Sequence, residues 1–439
     1  MKLYHYYIIF ILLLALTLNW VVAGNNFLGK ADMNLGLLPK TAIMVIEALQ
    51  VIMLIRLLLI YPDNKFILGA IVAVVAFCLF EFLIIKAMRA HYLVWVSGIR
   101  YYFSFFPLFL VSYLIASKGH NLKQEMYWLT GLALLQVPVA VYQFLNTSSV
   151  QNLGDRQLLY DMISGTMGGF ASNVMSLVVG IGLLYFLVQL FDKKKLIYLV
   201  LALLLLVPPI LSEAKGMLFV LTIIFVYLAF IFKFSFSRLM LLGGLAMLML
   251  VGFIHIYAML GYGYGKEINL EYLMEYAATK SGTGRLSRID SIIYSFNLLI
   301  DKGTLLFGTG IGNANKSPLG YDGQFYDFYK LRHSVDIFIT ETGLLGICFL
   351  SYLFWKLIRI TRSLLKNEVV QQNAGDILIL RVFLGTIFIF MFGMFWVDVL
   401  FRVQFMYPLG MMAGYVVGLY HKVKSEEEIA TTATYQLHY

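Results

Sequence analysis

The chain alternates between long apolar runs and short polar interruptions over almost its whole length. About twelve of these runs come close to the roughly 20 residues that a helix needs to cross a bilayer. Lipid offers no partner for backbone polar groups, so runs of this length are predicted to be helical. They are Tyr4 to Ala23, Thr41 to Tyr61, Phe66 to Ile85, Tyr92 to Ala116, Met126 to Asn146, Phe170 to Phe191, Leu196 to Leu211, Gly216 to Phe232, Leu239 to Leu260, Val335 to Ile358, Ile377 to Asp398 and Val403 to Tyr420. The pattern predicts an all-α polytopic membrane protein in which residues 1–439 form one membrane domain.

One polar interruption, residues 261–334, is far longer than the others. A connection of roughly 70 residues without a span of its own is usually functional or disordered. Part of it has apolar residues at helical spacing, which predicts an amphipathic helix on the membrane interface. These residues are Leu286, Ile289, Ile293, Phe296 and Ile300.

Three glycines at alternate positions follow that segment, at Gly308, Gly310 and Gly312. A phosphate-cradling fingerprint needs a different spacing and a strand before a helix. The glycines are therefore predicted to form a tight turn that returns the chain to the next span.

The composition agrees with a membrane protein, since 61% of the 439 residues are hydrophobic and 13% are charged. Lys and Arg in the short loops are richer on one side, and by the positive-inside rule that side is cytoplasmic. Both termini are then cytoplasmic, with residues 422–439 a short tail whose acidic part, Glu426 to Tyr439, is predicted to be disordered, and the 261–334 loop is extracytoplasmic. The net charge of +9 follows from this bias and does not indicate nucleic-acid binding.

Neither cysteine chemistry nor a metal site is indicated. Cys78 and Cys348 both fall inside predicted spans. No His or Cys cluster has the spacing of metal ligands, so a reaction without a metal or cofactor is predicted.

Polar side chains gather at the outer mouth of the span that begins near Val335. They are His333, Asp336, Thr340 and Glu341, on neighbouring turns. A lone His at an interface is usually an amphipathic anchor. Polar groups within a span are expensive and tend to face a cavity, which favours a functional role for this group.

Four cations near the outer face are candidates for binding an anion. Arg285 and Arg288 lie three residues apart, and such a fork suits either a diphosphate or a lipid headgroup. Lys215 lies in the outer turn SEAKG, and Arg100 lies about two helical turns below the outer surface.

An aromatic and acidic stretch in the long loop has two interpretations. Its rings could stack on sugars while carboxylates accept hydroxyl protons, or the rings could form an interfacial belt. Its candidate glycan-binding residues are Tyr321, Asp322, Tyr326, Asp327 and Tyr329.

Three segments in fixed order, from Ser281 to Leu350, resemble the O-antigen polymerase and O-antigen ligase superfamily. They read SGTGRLSRIDSIIYSFNLL, LLFGTGIGN and HSVDIFITETGLLGICFL. The earlier segment GDRQLLYDMISGTMGGFASN is also similar to a family feature. Two positions depart from the family pattern, since Ser334 stands where Asn is common and Lys215 where Arg is common.

This resemblance implies glycosyl transfer at the outer face of the bacterial inner membrane. The donor is an undecaprenyl-diphosphate-linked glycan whose diphosphate is neutralised by Arg285, Lys215 and either Arg288 or Arg100. His333 contacts the acceptor hydroxyl as general base or orienting partner, supported by Glu341.

The resemblance favours a metal-independent polymerase that joins repeat units into O-antigen, capsular polysaccharide or exopolysaccharide. A ligase that transfers the glycan to lipid A core is the alternative, and a chain-length regulator and a flippase are implied partners. A polytopic transporter is the alternative of another class. It would be expected to show repeat symmetry or paired broken helices around a midplane site.

Overall fold

The computed structural model describes residues 1–22, 38–147, 163–168, 171–212, 214–232, 236–259, 286–317, 320–327, 329–331 and 333–436. All regular secondary structure in these ranges is helical. The helices are α1 (Lys2–Val22), α2 (Leu38–Ile60), α3 (Lys65–Ala87), α4 (Tyr92–Phe103), α5 (Phe106–Ser117), α6 (Lys123–Thr147), α7 (Ser172–Lys193), α8 (Leu196–Leu204), α9 (Val207–Leu211), α10 (Gly216–Ile231), α11 (Phe236–Met259), α12 (Arg288–Asp301), α13 (Ser334–Leu364), α14 (Glu368–Gln371), α15 (Ala374–Trp396), a 3-10 helix (Val399–Phe401) and α16 (Val403–Gln436).

Every predicted apolar run contains a helix, which confirms the all-α fold. Among the described residues, six helical stretches are long and apolar enough to cross a membrane. Four shorter apolar helical stretches lie among them. The six are Lys65–Ala87, Tyr92–Ser117, Lys123–Leu145, Ser172–Lys193, Ser334–Leu364 and Ala374–Trp396. By length and composition these helices indicate a membrane protein, and the number of about twelve spans stays a prediction.

Helices α7 and α15 form the centre of the bundle, because most of their residues are buried on all sides. Leu184 of α7 packs against Gly385 of α15. The peripheral α3 instead exposes Val72, Val75 and Leu83. Exposed aliphatic side chains of this kind suit contact with lipid.

A stripe of small residues brings α5 and α16 into backbone contact. Gly410, Gly414 and Gly418 recur every four residues and so share one face of α16. A Cβ on Gly414 would lie 2.0 Å from the carbonyl oxygen of Phe109, so only glycine fits at this approach.

The two ends of the bundle carry different groups. Lys422 of α16 lies beside Gly119, and His5 of α1 bonds to Glu125 of α6, so the amino terminus and the carboxyl-terminal half of α16 share one end. We call it the terminal end. The opposite end, which carries α12 and the described turns within residues 303–317, 320–327 and 329–331, we call the loop end.

The amphipathic helix predicted inside the long loop is present as α12. Its apolar residues Ile289 and Ile293 are exposed, whereas Ser291 and Ser295 are buried. The Ser295 hydroxyl donates to the Asp336 carbonyl oxygen at 3.0 Å, so the serine face of α12 packs on α13. The apolar face is thereby turned outward, as expected for a helix at a membrane interface.

The predicted disorder of the carboxyl-terminal tail is wrong for its described part, because α16 continues through Gln436. Lys422 pairs with Glu426, and Lys424 pairs with Glu428, each at 3.8 Å and four residues apart. Such pairs support an exposed helix modestly.

Candidate functional site

Helix α13 is broken at Gly343, whose φ of 62° and ψ of −161° are not helical. The break frees the carbonyl oxygens of Thr340 and Glu341. These accept from the backbone nitrogens of Thr309 and Gly310, each at 2.9 Å. The loop after α12 therefore completes the hydrogen bonding that the broken helix lacks, which a span interior requires.

The same pairing occurs on the other side of the break. The nitrogen of Leu344 donates to Leu305 at 3.0 Å, and that of Leu345 donates to Leu306 at 3.1 Å. Backbone groups on both sides of the break are thus satisfied by protein.

The glycine-rich segment is the tight turn that its spacing predicted. Gly308, Gly310 and Gly312 all have positive φ. A Cβ on Gly312 would lie 2.1 Å from the Val94 carbonyl oxygen, so the turn packs directly on α4. Backbone nitrogens of the turn, including those of Thr309 and Gly310, donate to protein acceptors, which leaves no phosphate cradle in this segment.

Two buried carboxylates hold this turn. Glu81 accepts from the nitrogen of Ile311 at 3.1 Å. Glu341 accepts from the Ala314 nitrogen and the Asn315 side-chain amide at 3.0 Å each, and from the Tyr102 hydroxyl at 2.8 Å. These contacts make Glu341 an anchor of the turn.

The carboxylate that contacts the His333 ring is Asp336, with 3.5 Å between Nδ1 and Oδ2. The sequence suggested that Glu341 supports His333. The Glu341 side chain instead contacts Tyr102, Ala314 and Asn315. Asp336 also accepts from the backbone nitrogen of His333 at 2.9 Å and so caps the start of α13. His333 itself is buried, with 3% of its surface exposed.

Residues 396–402 connect α15 to α16, and we call them the 396–402 turn. The nitrogen of Ser334 donates to the Val397 carbonyl oxygen at 3.0 Å. The hydroxyl of Ser334 accepts from the nitrogen of Leu400 at 2.8 Å. Ser334 therefore holds the His333 end of α13 against this turn.

One of the predicted anion-binding cations, Arg288, contacts Trp396, the first residue of the turn, and the backbone next to a second, Lys215, abuts the same ring. The Arg288 guanidinium lies 4.0 Å from the centroid of the Trp396 ring, a cation–π arrangement. A Cβ on Gly216 would lie 2.5 Å from Trp396 Nε1, so the segment that begins with Lys215 abuts the same ring. The indole N–H donates to Asn173 at 3.3 Å.

Of the other two predicted cations, only Arg100 lies among the described residues. Arg100 forms an ion pair with Glu47. It lies on α4, whose Tyr101 and Tyr102 contact Phe401 of the 396–402 turn at 5.7 and 5.6 Å between ring centroids. Arg100 is thus near the turn and already paired with a carboxylate. Arg285 lies outside the described residues.

The predicted glycan-binding residues lie in loops that pack near two different helices, α4 and α12. Tyr321 stacks on His91, before α4, with 4.0 Å between ring centroids. Lys330 lies over the ring of Tyr294 in α12 and pairs with Asp327 at 3.4 Å.

Tyr294 and Asp327 raise the pKa of Lys330. Asp327 also accepts from the nitrogen of Tyr329 at 2.9 Å, and Asp322 accepts from that of Ser317 at 3.0 Å. Both carboxylates thus shape their own loops. Tyr321 and Tyr329 expose about half of their surface, Asp322 is exposed, and Tyr326 and Asp327 are half-buried, so most of this set is accessible.

Sequence reasoning placed Asp336 in the polar group with His333 but assigned the support of His333 to Glu341, and it did not include Trp396 or Asn173. Asp336 lies three residues after His333, the spacing of a helix cap, which is a readable signal. Trp396 and Asn173 are 223 residues apart, so their contact has no local signal. In the part of the chain that the structure describes, no three His, Cys, Asp or Glu side chains are grouped to hold a metal ion.

No protein-family model matches this chain, and no curated protein matches it. The geometry of the site therefore carries the functional argument, and the resemblance rests on the ordered segments from Ser281 to Leu350.

Proposed function

We propose that this protein transfers a glycan from a lipid-diphosphate donor to an acceptor hydroxyl at the loop end of the bundle. In this proposal it joins repeat units into O-antigen, capsular polysaccharide or exopolysaccharide. One observation carries it. The 396–402 turn holds the start of α13, with His333, on one side and Arg288 and the Lys215 segment on the other. A candidate base, one cation and the backbone beside a second cation thus come to one turn from distant parts of the chain.

In the reaction, the acceptor oxygen forms a bond to the anomeric carbon as the bond from that carbon to the diphosphate oxygen breaks. The electron pair of the broken bond stays on the diphosphate. Arg288 and Lys215 stabilise this developing charge, and Arg285 is retained as a third candidate. A guanidinium over an aromatic ring can still donate N–H groups to a phosphate, so the contact of Arg288 with Trp396 is compatible with diphosphate binding.

His333 takes the proton of the acceptor hydroxyl. Asp336, 3.5 Å from the ring, stabilises the imidazolium that forms and fixes the ring orientation. Because His333 is buried, the acceptor reaches it only when nearby segments of the protein move aside.

A groove between α10 and α15 supports a lipid-linked donor. Its volume is about 1370 Å³, and apolar residues such as Val226, Phe388 and Phe395 line it. Phe392, another lining residue, stacks on Trp396 with 5.4 Å between ring centroids, so the groove begins beside the cation site. A polyprenyl chain could lie in this groove with its diphosphate at Arg288 and Lys215.

The break in α13 is the observation that favours a transporter, because transporters place broken helices at midplane binding sites. The backbone groups freed at Gly343 are paired with the loop after α12, however, and Glu341 is paired with the same loop. The break is filled by protein, which makes glycosyl transfer the better-supported function.

The test is reconstitution of the purified chain with a lipid-diphosphate-linked oligosaccharide, with products resolved on a gel. A ladder of longer glycans is expected, lost in His333→Ala and Arg285→Ala and kept in Lys302→Ala. Lys302 is the matched control because it is an exposed cation immediately after α12.

Three other results separate the alternatives. Product that forms only when lipid A core is added would identify a ligase. Substrate flux into vesicles without any new glycan bond would identify a transporter. A ladder that persists in His333→Ala would contradict the assigned base.

A further inference from the structure

A second groove lies at the terminal end, between the second half of α13 and the carboxyl-terminal half of α16. Its volume is about 620 Å³. Four cationic side chains and one carboxylate line it, Lys356, Arg359, Lys366, Lys424 and Glu427. Lys366 also lines the groove between α10 and α15, whereas the other four residues do not.

Aromatic rings form the part of this groove nearest the middle of α13. Tyr352 and Trp355 are each more than half exposed. Lys356 lies 5.9 Å from the Tyr352 ring centroid, and Arg359 lies 5.5 Å from that of Trp355. Rings with neighbouring cations are typical of the level where lipid headgroups meet the hydrocarbon.

The groove differs from the ordinary excess of cations at an inner membrane face. Its cations come from two helices, with Lys356 and Arg359 on α13 and Lys424 on α16, and they line one concave surface. The single carboxylate, Glu427, accepts from the Asn367 amide at 3.0 Å. Positive charge is therefore in excess over negative charge in the groove.

We propose that this groove binds an anionic phospholipid, with the phosphate at Lys356, Arg359 and Lys424 and the acyl chains beside Tyr352 and Trp355. Charge decides the occupant, because a zwitterionic headgroup brings its own cation to a site already rich in cations. The aromatic part of the groove suits the start of an acyl chain, which a free phosphate does not have. The proposal is independent of the reaction at the loop end.

The test is native mass spectrometry of the full chain taken from vesicles of equal phosphatidylglycerol and phosphatidylcholine. The wild-type chain is expected to retain phosphatidylglycerol selectively. A triple variant, Lys356→Gln, Arg359→Gln and Lys424→Gln, is expected to retain at least tenfold less.

The matched control is Lys193→Gln, Lys194→Gln and Lys195→Gln, which removes three charges at the end of α7. That end of α7 is the terminal end, because the other end contacts Trp396 through Asn173. The control is expected to retain phosphatidylglycerol at the wild-type level. Melting temperatures in pure phosphatidylcholine must agree among the three proteins.

Three results would overturn the proposal. Equal retention by the groove variant and the wild type would show that the lipid binds elsewhere, and equal losses in both variants would show general surface attraction. Displacement of the bound lipid by millimolar inorganic phosphate would show a site for the free anion instead.

Discussion

The guanidinium of Arg288 lies 4.0 Å from the ring centroid of Trp396, and this stack joins the first residue of α12 to the last residue of α15. The 396–402 turn, which begins at Trp396, also binds Ser334, next to His333. The stack is therefore the link through which the cation site and the candidate base share one support.

Replacing Trp396 with Leu tests that link. Leu keeps an apolar side chain but removes the ring face, so a cation–π interaction of roughly 1–2 kcal/mol is lost. We expect kcat/KM for chain elongation to fall about tenfold, because each 1.4 kcal/mol of transition-state stabilisation is a factor of ten in rate. Initial rates at low donor concentration measure it.

Trp355→Leu is the matched control, since Trp355 also has an arginine over its ring but lies at the terminal end. Its elongation rate is expected to stay at the wild-type level. Equal losses in both tryptophan variants would indicate a general loss of folded protein and would count against the link.

Asp336→Asn tests the role of the carboxylate beside His333. The amide can still accept from the backbone nitrogen of His333, so the helix cap is kept, but the negative charge next to the ring is removed. We expect kcat to fall on the order of ten- to a hundredfold with donor KM unchanged, because only proton transfer is impaired. Steady-state kinetics separate the two constants.

Asp376→Asn provides the comparison, because Asp376 accepts from Tyr415 at 2.5 Å at the terminal end and lies outside the site. Its kcat is expected to be unaffected. A wild-type kcat in Asp336→Asn would show that Asp336 serves only to cap α13.

Glu341 variants distinguish an anchor from a catalyst. Glu341→Ala leaves the buried nitrogen of Ala314 and the amide of Asn315 without their acceptor, at a cost of about 1–3 kcal/mol for each group. Glu341→Gln keeps one oxygen and can turn its amide toward the Tyr102 hydroxyl. We expect the Ala variant to melt well below the wild type and the Gln variant to lie between them.

Activity completes this test. If Glu341 is an anchor, folded Glu341→Gln is expected to retain most of its elongation rate. If Glu341 is a catalytic carboxylate, this variant is expected to be folded but inactive. Glu81→Ala, which removes the acceptor of one backbone nitrogen, is expected to lower the melting temperature less than Glu341→Ala does.

Much of the fold could be predicted because local sequence determines it. Apolar runs predicted helices at every span position, and the spacing of Ile289, Ile293 and Ile300 predicted α12. The break at Gly343 could not be predicted in this way. Its backbone partners, Thr309 and Gly310, lie in another segment, and the apolar pattern continues through the break.

The site residues could likewise be predicted only in part from local sequence. His333 and Arg288 stand out locally because charged and polar groups are rare in this chain. Trp396 has an unremarkable position at the end of an apolar run, and only the folded chain brings it to Arg288 and Asn173. Glu341 was assigned to His333 by nearness in sequence, whereas the fold turns it toward Tyr102 and Ala314.

Gly414→Ala tests the close contact between α5 and α16. The added Cβ would lie 2.0 Å from the Phe109 carbonyl oxygen, which is backbone and cannot rotate away, so the two helices must separate. We expect a loss of about 1–3 kcal/mol in the free energy of unfolding, as for other overpacked interiors.

Gly252→Ala in α11 is the control, because nothing lies within 4 Å of the added atom. There alanine is expected to stabilise the helix by about 0.5–1 kcal/mol. Thermal unfolding in detergent compares the two, and a Gly414→Ala melting temperature equal to that of Gly252→Ala would show that α5 and α16 are not held this closely.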